Sequence, residues 1–187
     1  MNALRRQLAA YIPCNAQETQ DQRMMLAAID TLDRPLLREN GFAHFTASGW
    51  IVNPRHDRVL MAWHNIFQTW AWTGGHADGE ENLLAVALRE AREETGIESV
   101  APVTPEIFSI EIVPVIAHVK RGQFISAHVH LNVTFLLCAD DSQPIRAKPD
   151  ENSAVAWLPL DEAADNREEP HMAIIYQKLN DKLRALP

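Results

Sequence analysis

Cysteine, long apolar runs and positive charge are all scarce in this chain of 187 residues. Cys14 and Cys138 are too few and too far apart to indicate a disulfide framework or a thiolate metal site, so we expect reduced thiols. No apolar run approaches the roughly 20 residues that span a bilayer, and no uninterrupted apolar signal segment follows Arg5 and Arg6. These absences predict a cytoplasmic protein that does not enter a membrane.

The charge balance is acidic, with 17 Lys and Arg against 25 Asp and Glu and a formal net charge of -8. Because Lys and Arg carry binding to a phosphate backbone, this balance argues against a polymeric nucleic acid as partner. A small phosphorylated ligand is compatible, since a bound metal ion inverts the local field. The apolar share of 47% and the charged share of 22% are typical of a folded globular protein rather than a disordered one.

The stretch from Gly75 to Ile97 carries the densest chemical pattern, GHADGEENLLAVALREAREETGI. Glu90, Glu93 and Glu94 are spaced i, i+3 and i+4, which puts three carboxylates on one side of a helix. Like charges at this spacing repel, and each pair costs an isolated helix roughly 0.2–0.5 kcal/mol. A hard divalent cation would compensate, because Mg2+ takes oxygen ligands from one or two carboxylates and from substrate phosphates.

Signals at both ends of this stretch predict where its helix starts and stops. Asp78 and Glu81 have the spacing of a capping box, with Asp in place of the usual Ser or Thr. Gly96 stands where a helix ends in a left-handed residue. An apolar stripe beside the acidic one predicts a buried seam, made of Leu84, Ala87, Leu88 and Ala91. The helix is therefore expected to pack with one stripe and to hold metal with the other.

Nine positions of the same stretch match a family signature: Gly75, Glu81, Arg89, Glu90, Ala91, Glu93, Glu94, Gly96 and Ile97. With this spacing the segment resembles the Nudix box, G-x5-E-x7-R-E-U-x-E-E-x-G-U, at every fixed position. The resemblance implies an α/β Nudix fold, a mixed β-sheet sandwiched between helices, with an added helical N-terminal segment. The expected organisation is a helical extension over residues 1–40 and a Nudix hydrolase domain over residues 41–187.

The resemblance also implies an activity. The expected reaction is Mg2+-dependent hydrolysis of a diphosphate linkage in a small molecule of the nucleoside diphosphate-X type, with Mn2+ as an alternative ion. Glu90, Glu93 and Glu94 are the implied metal ligands, together with the carbonyl of Gly75. Nudix proteins often dimerise, so a homodimer is among the expected states.

Further roles follow from the same resemblance. Glu81 either caps the helix or pairs with Arg89, which would hold that guanidinium against the metal-binding carboxylates, while Gly96 is structural. Glu93 is one candidate for the general base that activates water. Glu151 is the other, because similar enzymes often place an acidic residue in this loop, although it could equally be an ordinary loop acid.

Two candidate substrate contacts flank the start of the box. Trp72 belongs to the segment TWAWTGG, where an aromatic ring could stack on a nucleobase or simply pack in the core. His76 follows the glycine pair and could touch phosphate or cap the loop. Both residues are therefore assigned to substrate binding, with a structural role as the alternative for each.

A polar face later in the chain supplies two more candidates. His128 and His130 alternate with apolar residues and are followed on the same face by Asn132 and Thr134. This face could contact substrate oxygens, hold a second metal ion, or form a solvent-exposed sheet edge. In the turn before it, Lys120 and Arg121 are candidates for phosphate contacts.

Periodicity places these motifs on a coarse framework. Residues 3–11 and 15–32 are predicted helices, the second with Asn15 as its N-cap, and they form a pad on the domain, a lid or a dimer contact. The remaining predictions are strands at 43–52, 58–64, 103–115, 126–139 and 154–158, then helices starting at 161 and spanning 171–186.

Two rival functions remain. An isopentenyl-diphosphate isomerase-like enzyme would need a cysteine before the Nudix helix, and the segment from Trp70 to Gly75 has none. A non-catalytic Nudix-like ligand-binding regulator would typically show a degraded box or a DNA-binding domain. The box is complete, and the N-terminal extension has little basic character.

Overall fold

The computed structural model describes residues 2–120, 122–165 and 168–186. Within those ranges the helices are α1 (Asn2–Ala10), α2 (Ala16–Thr31), α3 (Leu83–Thr95), α4 (Leu160–Ala164) and α5 (Pro170–Arg184). The strands are β1 (Ala43–Val52), β2 (Arg58–His64), β3 (Thr69–Ala71), β4 (Thr73–His76), β5 (Ala101–Pro102), β6 (Ser109–Val115), β7 (His118–Lys120), β8 (Gln123–Ile125), β9 (His128–Cys138) and β10 (Asn152–Pro159). None of these helices is both long and apolar enough to serve as a membrane span.

Strand β1 is the centre of a mixed sheet. It pairs in parallel with β9 over its whole length, from Ala43 opposite Val129 to Val52 opposite Cys138. The main strand order is β10-β2-β1-β9-β5, and β3, β4 and β6 join it by antiparallel pairing with β2, β1 and β9 respectively. Nearly all of β1 is buried, as a strand covered on both faces requires.

Helices cover both faces of this sheet. Alternate residues of a strand point to opposite faces, and those of β1 enter different cores. Phe45 and Ile51 lie in one core, which also takes Ala87 and Ala91 of the predicted apolar seam of α3. Val86, which was not part of that prediction, is buried there as well. Trp50 lies in the second core, where its ring stacks on Tyr176 of α5 at 5.3 Å between centroids. This arrangement turns the neighbouring acidic stripe of α3 away from the first core.

The N-terminal helices are part of the first core. Leu8 of α1 and Met25 of α2 are fully buried there, with 0% of each residue exposed. As predicted, Asn15 caps α2, and its side chain accepts a hydrogen bond from the Glu18 N–H. The Asp21 carboxylate accepts a hydrogen bond from the Ile112 N–H on β6. These contacts fit a helical pad on the sheet better than a lid.

The start of α3 differs from the capping-box prediction, which was wrong. The helix begins at Leu83, and the Asn82 side chain caps it by accepting a hydrogen bond from the Ala85 N–H at 3.2 Å. Asp78 lies in a turn with φ of 48° and is ion-paired with Arg38, so its side chain is engaged elsewhere. The other end is as predicted, because Gly96 ends the helix with φ of 68°.

One predicted strand is shorter than expected, and the TWAWTGG segment is divided between two strands. The prediction over residues 103–115 is confirmed only from Ser109, because Pro105 lacks a backbone donor in the preceding segment. The TWAWTGG segment breaks at Trp72, since β3 pairs with β2 and β4 pairs with β1. Strands β7 and β8 pair in antiparallel fashion, and the expected phosphate contacts of Lys120 and Arg121 fall outside the described side chains.

Candidate active site

Two glycines of β4 bring backbone directly against the acidic side of α3. A Cβ on Gly75 would lie 2.5 Å from Cδ of Glu90, and a Cβ on Gly74 would lie 2.8 Å from the carbonyl oxygen of Ala47. Such distances leave no room for a side chain. The glycine pair therefore allows main chain and carboxylate to share one corner of the site.

The outer carboxylates of α3 each have a cationic neighbour. Arg89 donates to Oε1 of Glu90 at 2.8 Å, and its Nε lies 3.9 Å from Oε1 of Glu93. Lys148 Nζ lies 3.7 Å from the second oxygen of Glu93. The Glu90 side chain is 14% exposed and that of Glu93 is 48% exposed, so Glu93 is the more accessible to water.

The Glu94 carboxyl is the inner member of the set. Burial raises its pKa to about 8, opposed by a hydrogen bond from the Gly74 N–H at 3.1 Å and reinforced by the charges of Glu90 and Glu151. Three carboxyls that face one cavity form a set of oxygen donors suited to a hard divalent cation. The residues present therefore fit the metal that the box implies.

Glu151 reaches the same site from the loop before β10. Its carboxylate accepts a hydrogen bond from Lys148 at 3.1 Å, and the Asn152 side chain donates to the carbonyl of Glu94 at 3.1 Å. The loop is thus attached to the end of α3. Lys148 and Asn152 were not predicted, because no spacing in the sequence links either residue to the box.

Four histidines gather in the same cavity. The ring of His44 lies 5.0 Å from each of the rings of His76, His128 and His130, measured between centroids. The cavity has a volume of about 1050 Å³ and is also lined by Glu90, Glu93 and Glu94. The structure thus brings the three predicted histidines to the acidic face of α3 rather than to a solvent-exposed edge.

His44 was missed by the sequence analysis. It stands on β1 opposite His130 of β9, and this parallel pairing joins positions that no local pattern relates. Burial lowers the pKa of His44, which keeps the imidazole neutral, and only 3% of the residue is exposed. Its Nδ1 lies 3.0 Å from the carbonyl of Asn40, whereas its buried Nε2 has no hydrogen-bond partner.

The polar face of β9 divides into two parts. Beyond the histidines, Asn132 and Thr134 are buried and hydrogen-bonded to the Glu111 carboxylate at 3.1 and 2.8 Å. Asn132 also accepts hydrogen bonds from Thr46 and Ser48 of β1. This second part is a closed network that supports the sheet beneath the cavity.

Trp72 packs in the core, as one of its two predictions has it, and its stacking on a nucleobase stays a prediction. Its ring meets Tyr176 edge to face at 5.6 Å and packs against the second core, and the residue also lines the cavity. Glu81 is exposed and precedes the N-cap of α3. Its suggested pairing with Arg89 stays a prediction.

Comparisons with known proteins agree with this geometry. The NUDIX domain family model matches residues 43–179, well over half of the chain. The Nudix hydrolase RenU from M. Smegmatis superposes with a TM-score of 0.57 at 19% identity, covering 78% of this chain and 89% of that one. A C. elegans Ap4A hydrolase has a TM-score of 0.53 at 16% identity, covering 76% of this chain and 98% of that one. The E. coli dihydroneopterin triphosphate pyrophosphohydrolase has a TM-score of 0.54 at 17% identity, covering 72% of this chain and 92% of that one.

The structural likenesses concern the fold, and they confirm the predicted mixed sheet with flanking helices. The comparison with curated proteins gave no significant match. The family match contains the whole Gly75 to Ile97 box, of which Glu90, Glu93 and Glu94 line one cavity. The chain belongs to the Nudix hydrolase family.

Proposed function

We propose that this Nudix hydrolase cleaves a diphosphate linkage in a small molecule of the nucleoside diphosphate-X type, with Mg2+ as the cofactor and Mn2+ as an alternative. The observation that carries the proposal is the convergence of Glu90, Glu93, Glu94 and Glu151 on one cavity beside the Gly74–Gly75 backbone. Four carboxyls in one cavity repel each other, and a divalent cation with an anionic diphosphate resolves that repulsion.

The α3 carboxylates and the Gly75 carbonyl would hold the cation. A bound Mg2+ would neutralise the diphosphate and lower the pKa of water. Arg89 holds the Glu90 carboxylate at 2.8 Å and so fixes its direction toward the cavity. The Gly74 N–H does the same for Glu94.

Glu93 and Glu151 are the proposed general bases. Their side chains are 48% and 37% exposed, so water can reach both, and Lys148 lies within 3.7 Å of each carboxylate. The base takes a proton from water while the water oxygen forms a bond to phosphorus. The anhydride P–O bond breaks, and its electron pair leaves with the departing phosphate.

The far side of the cavity would receive the rest of the substrate. His76, His128 and His130 face this space, and Trp72 supplies an aromatic edge beside Tyr176. We propose these four residues as the substrate-binding wall, in which the histidines contact substrate oxygens directly or through a second metal ion. Neither Cys14 nor Cys138 lines the cavity, which favours hydrolysis over isomerase chemistry that depends on a cysteine. A cytoplasmic location and a homodimer stay predictions.

A panel of diphosphate compounds tests the proposal. The purified chain is incubated with nucleoside diphosphate sugars, dinucleoside polyphosphates and other mixed diphosphates, with Mg2+, Mn2+ or EDTA. We expect release of phosphate or nucleoside monophosphate with either metal and none with EDTA. Hydrolysis in heavy-oxygen water then shows which phosphorus is attacked. Tight binding of a diphosphate without turnover of any panel member would overturn the proposal in favour of a ligand-binding regulator.

A further inference from the structure

Three of the cavity histidines come from three different strands. His44 lies on β1, His76 on β4 and His130 on β9, and both neighbouring strands pair directly with β1. One ring nitrogen from each histidine lies within 4.8 Å of the other two. The ring centroids of His76 and His130 are 5.0 Å apart, the same distance that separates each from His44. The three imidazoles therefore form a compact triangle supported by the sheet.

The hydrogen bonds of His44 determine which nitrogen is available. A carbonyl oxygen only accepts, so the contact between His44 Nδ1 and the Asn40 carbonyl places the imidazole proton on Nδ1. The lone pair is then on Nε2, which is buried and lacks a hydrogen-bond partner. An unmatched buried acceptor costs about 1–3 kcal/mol. Metal-binding histidines show the same pattern, one nitrogen donating to a carbonyl and the other bound to the ion.

His128 repeats the pattern beside the triangle. Its Nδ1 lies 2.9 Å from the Ser126 carbonyl, which leaves the lone pair on Nε2. That Nε2 is 3.3 Å from Nε2 of His130. Two imidazole nitrogens bound at about 2.05 Å to a tetrahedral zinc ion also lie about 3.3 Å apart. The spacing therefore suits a shared ion as well as a hydrogen bond.

We propose that His44, His76 and His130 bind a divalent transition-metal ion such as Zn2+, at a site separate from the box carboxylates. Neutral imidazoles are ligands for Zn2+ and its neighbours, whereas Mg2+ prefers oxygen. No carboxylate belongs to the described triangle. His128 is not one of these three ligands, and it contacts His130 beside the position that the triangle leaves open to the cavity. The two sites thus differ in the class of metal that they bind.

The test measures metal binding directly, so it does not depend on hydrolysis. The full chain is stripped of metal, kept in excess Mg2+ to fill the carboxylate site, and titrated with Zn2+ by calorimetry and with Co2+ by visible absorption. We expect one transition-metal ion per chain and the intense ligand-field bands of tetrahedral Co2+. The variants His44→Gln and His130→Gln should each weaken Zn2+ binding by at least about 100-fold, more than loss of a supporting contact.

Two controls make the result specific. His118→Gln removes another imidazole that lines the cavity, and it should leave the Co2+ spectrum unchanged. The double variant Glu93→Gln/Glu94→Gln should retain the spectrum while losing any Mg2+-dependent turnover. His130 is half-buried, so its variant tests the site even if the buried His44 variant fails to fold. Absence of stoichiometric binding, or binding that the histidine variants leave intact or that the glutamate variant abolishes, overturns the proposal.

Discussion

Glu18 and Glu94 are two acids whose carboxyls are removed from bulk water, and their surroundings shift the two pKa values in opposite directions. Glu18 on α2 is 0% exposed and meets two cations of α5, Lys182 at 3.0 Å and Lys178 at 3.2 Å. Burial alone would raise its pKa, but hydrogen bonds, led by that from the Cys14 N–H, and both lysine charges lower it to about 2. This carboxylate is ionised, and the positive charges of the two lysines compensate its negative charge.

Glu94 on α3 lacks that compensation. Burial is the main reason that its pKa rises to about 8, and the neighbouring acids Glu90 and Glu151 raise it further. Its one backbone donor, the Gly74 N–H, and the more distant Lys148 offset only part of this. The comparison shows that the structural acid is supplied with cations by the fold. Among the described residues Glu94 has no such ion pair, and in the proposed function its cation is a metal ion taken from solution.

The largest effect should come from removing charge at the active site. In Glu93→Gln/Glu94→Gln we expect turnover with Mg2+ to fall at least about a thousandfold, because charge is lost while volume is kept. The measurement is initial rate on the best diphosphate of the panel. Glu98→Gln, an exposed acid just beyond the helix, is the control and should keep the rate. Turnover equal to that of the wild type in the double variant would remove the site assignment.

The structural acid should respond in stability instead. Glu18→Gln removes the carboxylate partner of Lys182, whereas Lys178 keeps Glu111 at 2.9 Å. We expect the loss of this buried charge to cost roughly 3 kcal/mol, or about 6–12 °C in Tm for a chain of this size. Thermal unfolding followed by circular dichroism gives both numbers. Asp30→Asn on the same helix breaks the exposed ion pair with Arg5 and should lower Tm far less. Equal losses in the two variants would contradict the contrast between compensated and uncompensated acids.

Substitution of Glu151 distinguishes between the two proposed general bases, Glu93 and Glu151. If it removes the proton from water, Glu151→Gln should lower kcat about 100-fold with little change in KM. Steady-state kinetics over a range of substrate concentration measures both parameters. Asp150→Asn, the adjacent exposed acid, is the matched control. An unchanged kcat in Glu151→Gln would leave Glu93 as the base.

Local spacing was enough to predict the acidic face of α3, its apolar seam and its glycine end. These features depend on residues within about two helical turns of each other, where helix geometry alone decides which side chains are neighbours. The true N-cap, Asn82, was not recognised because the Asp78 and Glu81 pair offered a more familiar capping pattern. Asp78 does not cap the helix because its carboxylate pairs with Arg38, 40 residues away in the sequence.

Long-range partners were not predictable in the same way. His44 meets His130 because β1 and β9 pair in parallel across more than 80 residues of sequence. Lys178 meets Glu18 only because α5 returns to the N-terminal helices. Hydrophobic periodicity predicts that such elements form, but their pairing partners follow from how the two cores close. The histidine end of the polar face on β9 was predicted as a candidate site. The burial of Asn132 on the same face was not predicted.

The smallest expected effect is a difference in pH dependence between the two acids. Folded Glu94 holds a proton up to a pKa of about 8, while the unfolded chain releases it near 4.5, so stability should fall as pH rises across this window. Glu18 acts in the opposite sense, and its stabilisation is lost as pH falls from about 4.5 to about 2. Because Glu94 lines an open cavity, we expect only about 1 kcal/mol, or about 3 °C in Tm of metal-free protein. In Glu94→Gln the Tm should no longer fall as pH rises from about 4.5 to about 8, whereas the loss of Tm below pH 4.5 should remain. If Tm still falls with rising pH in this variant, another group causes the dependence.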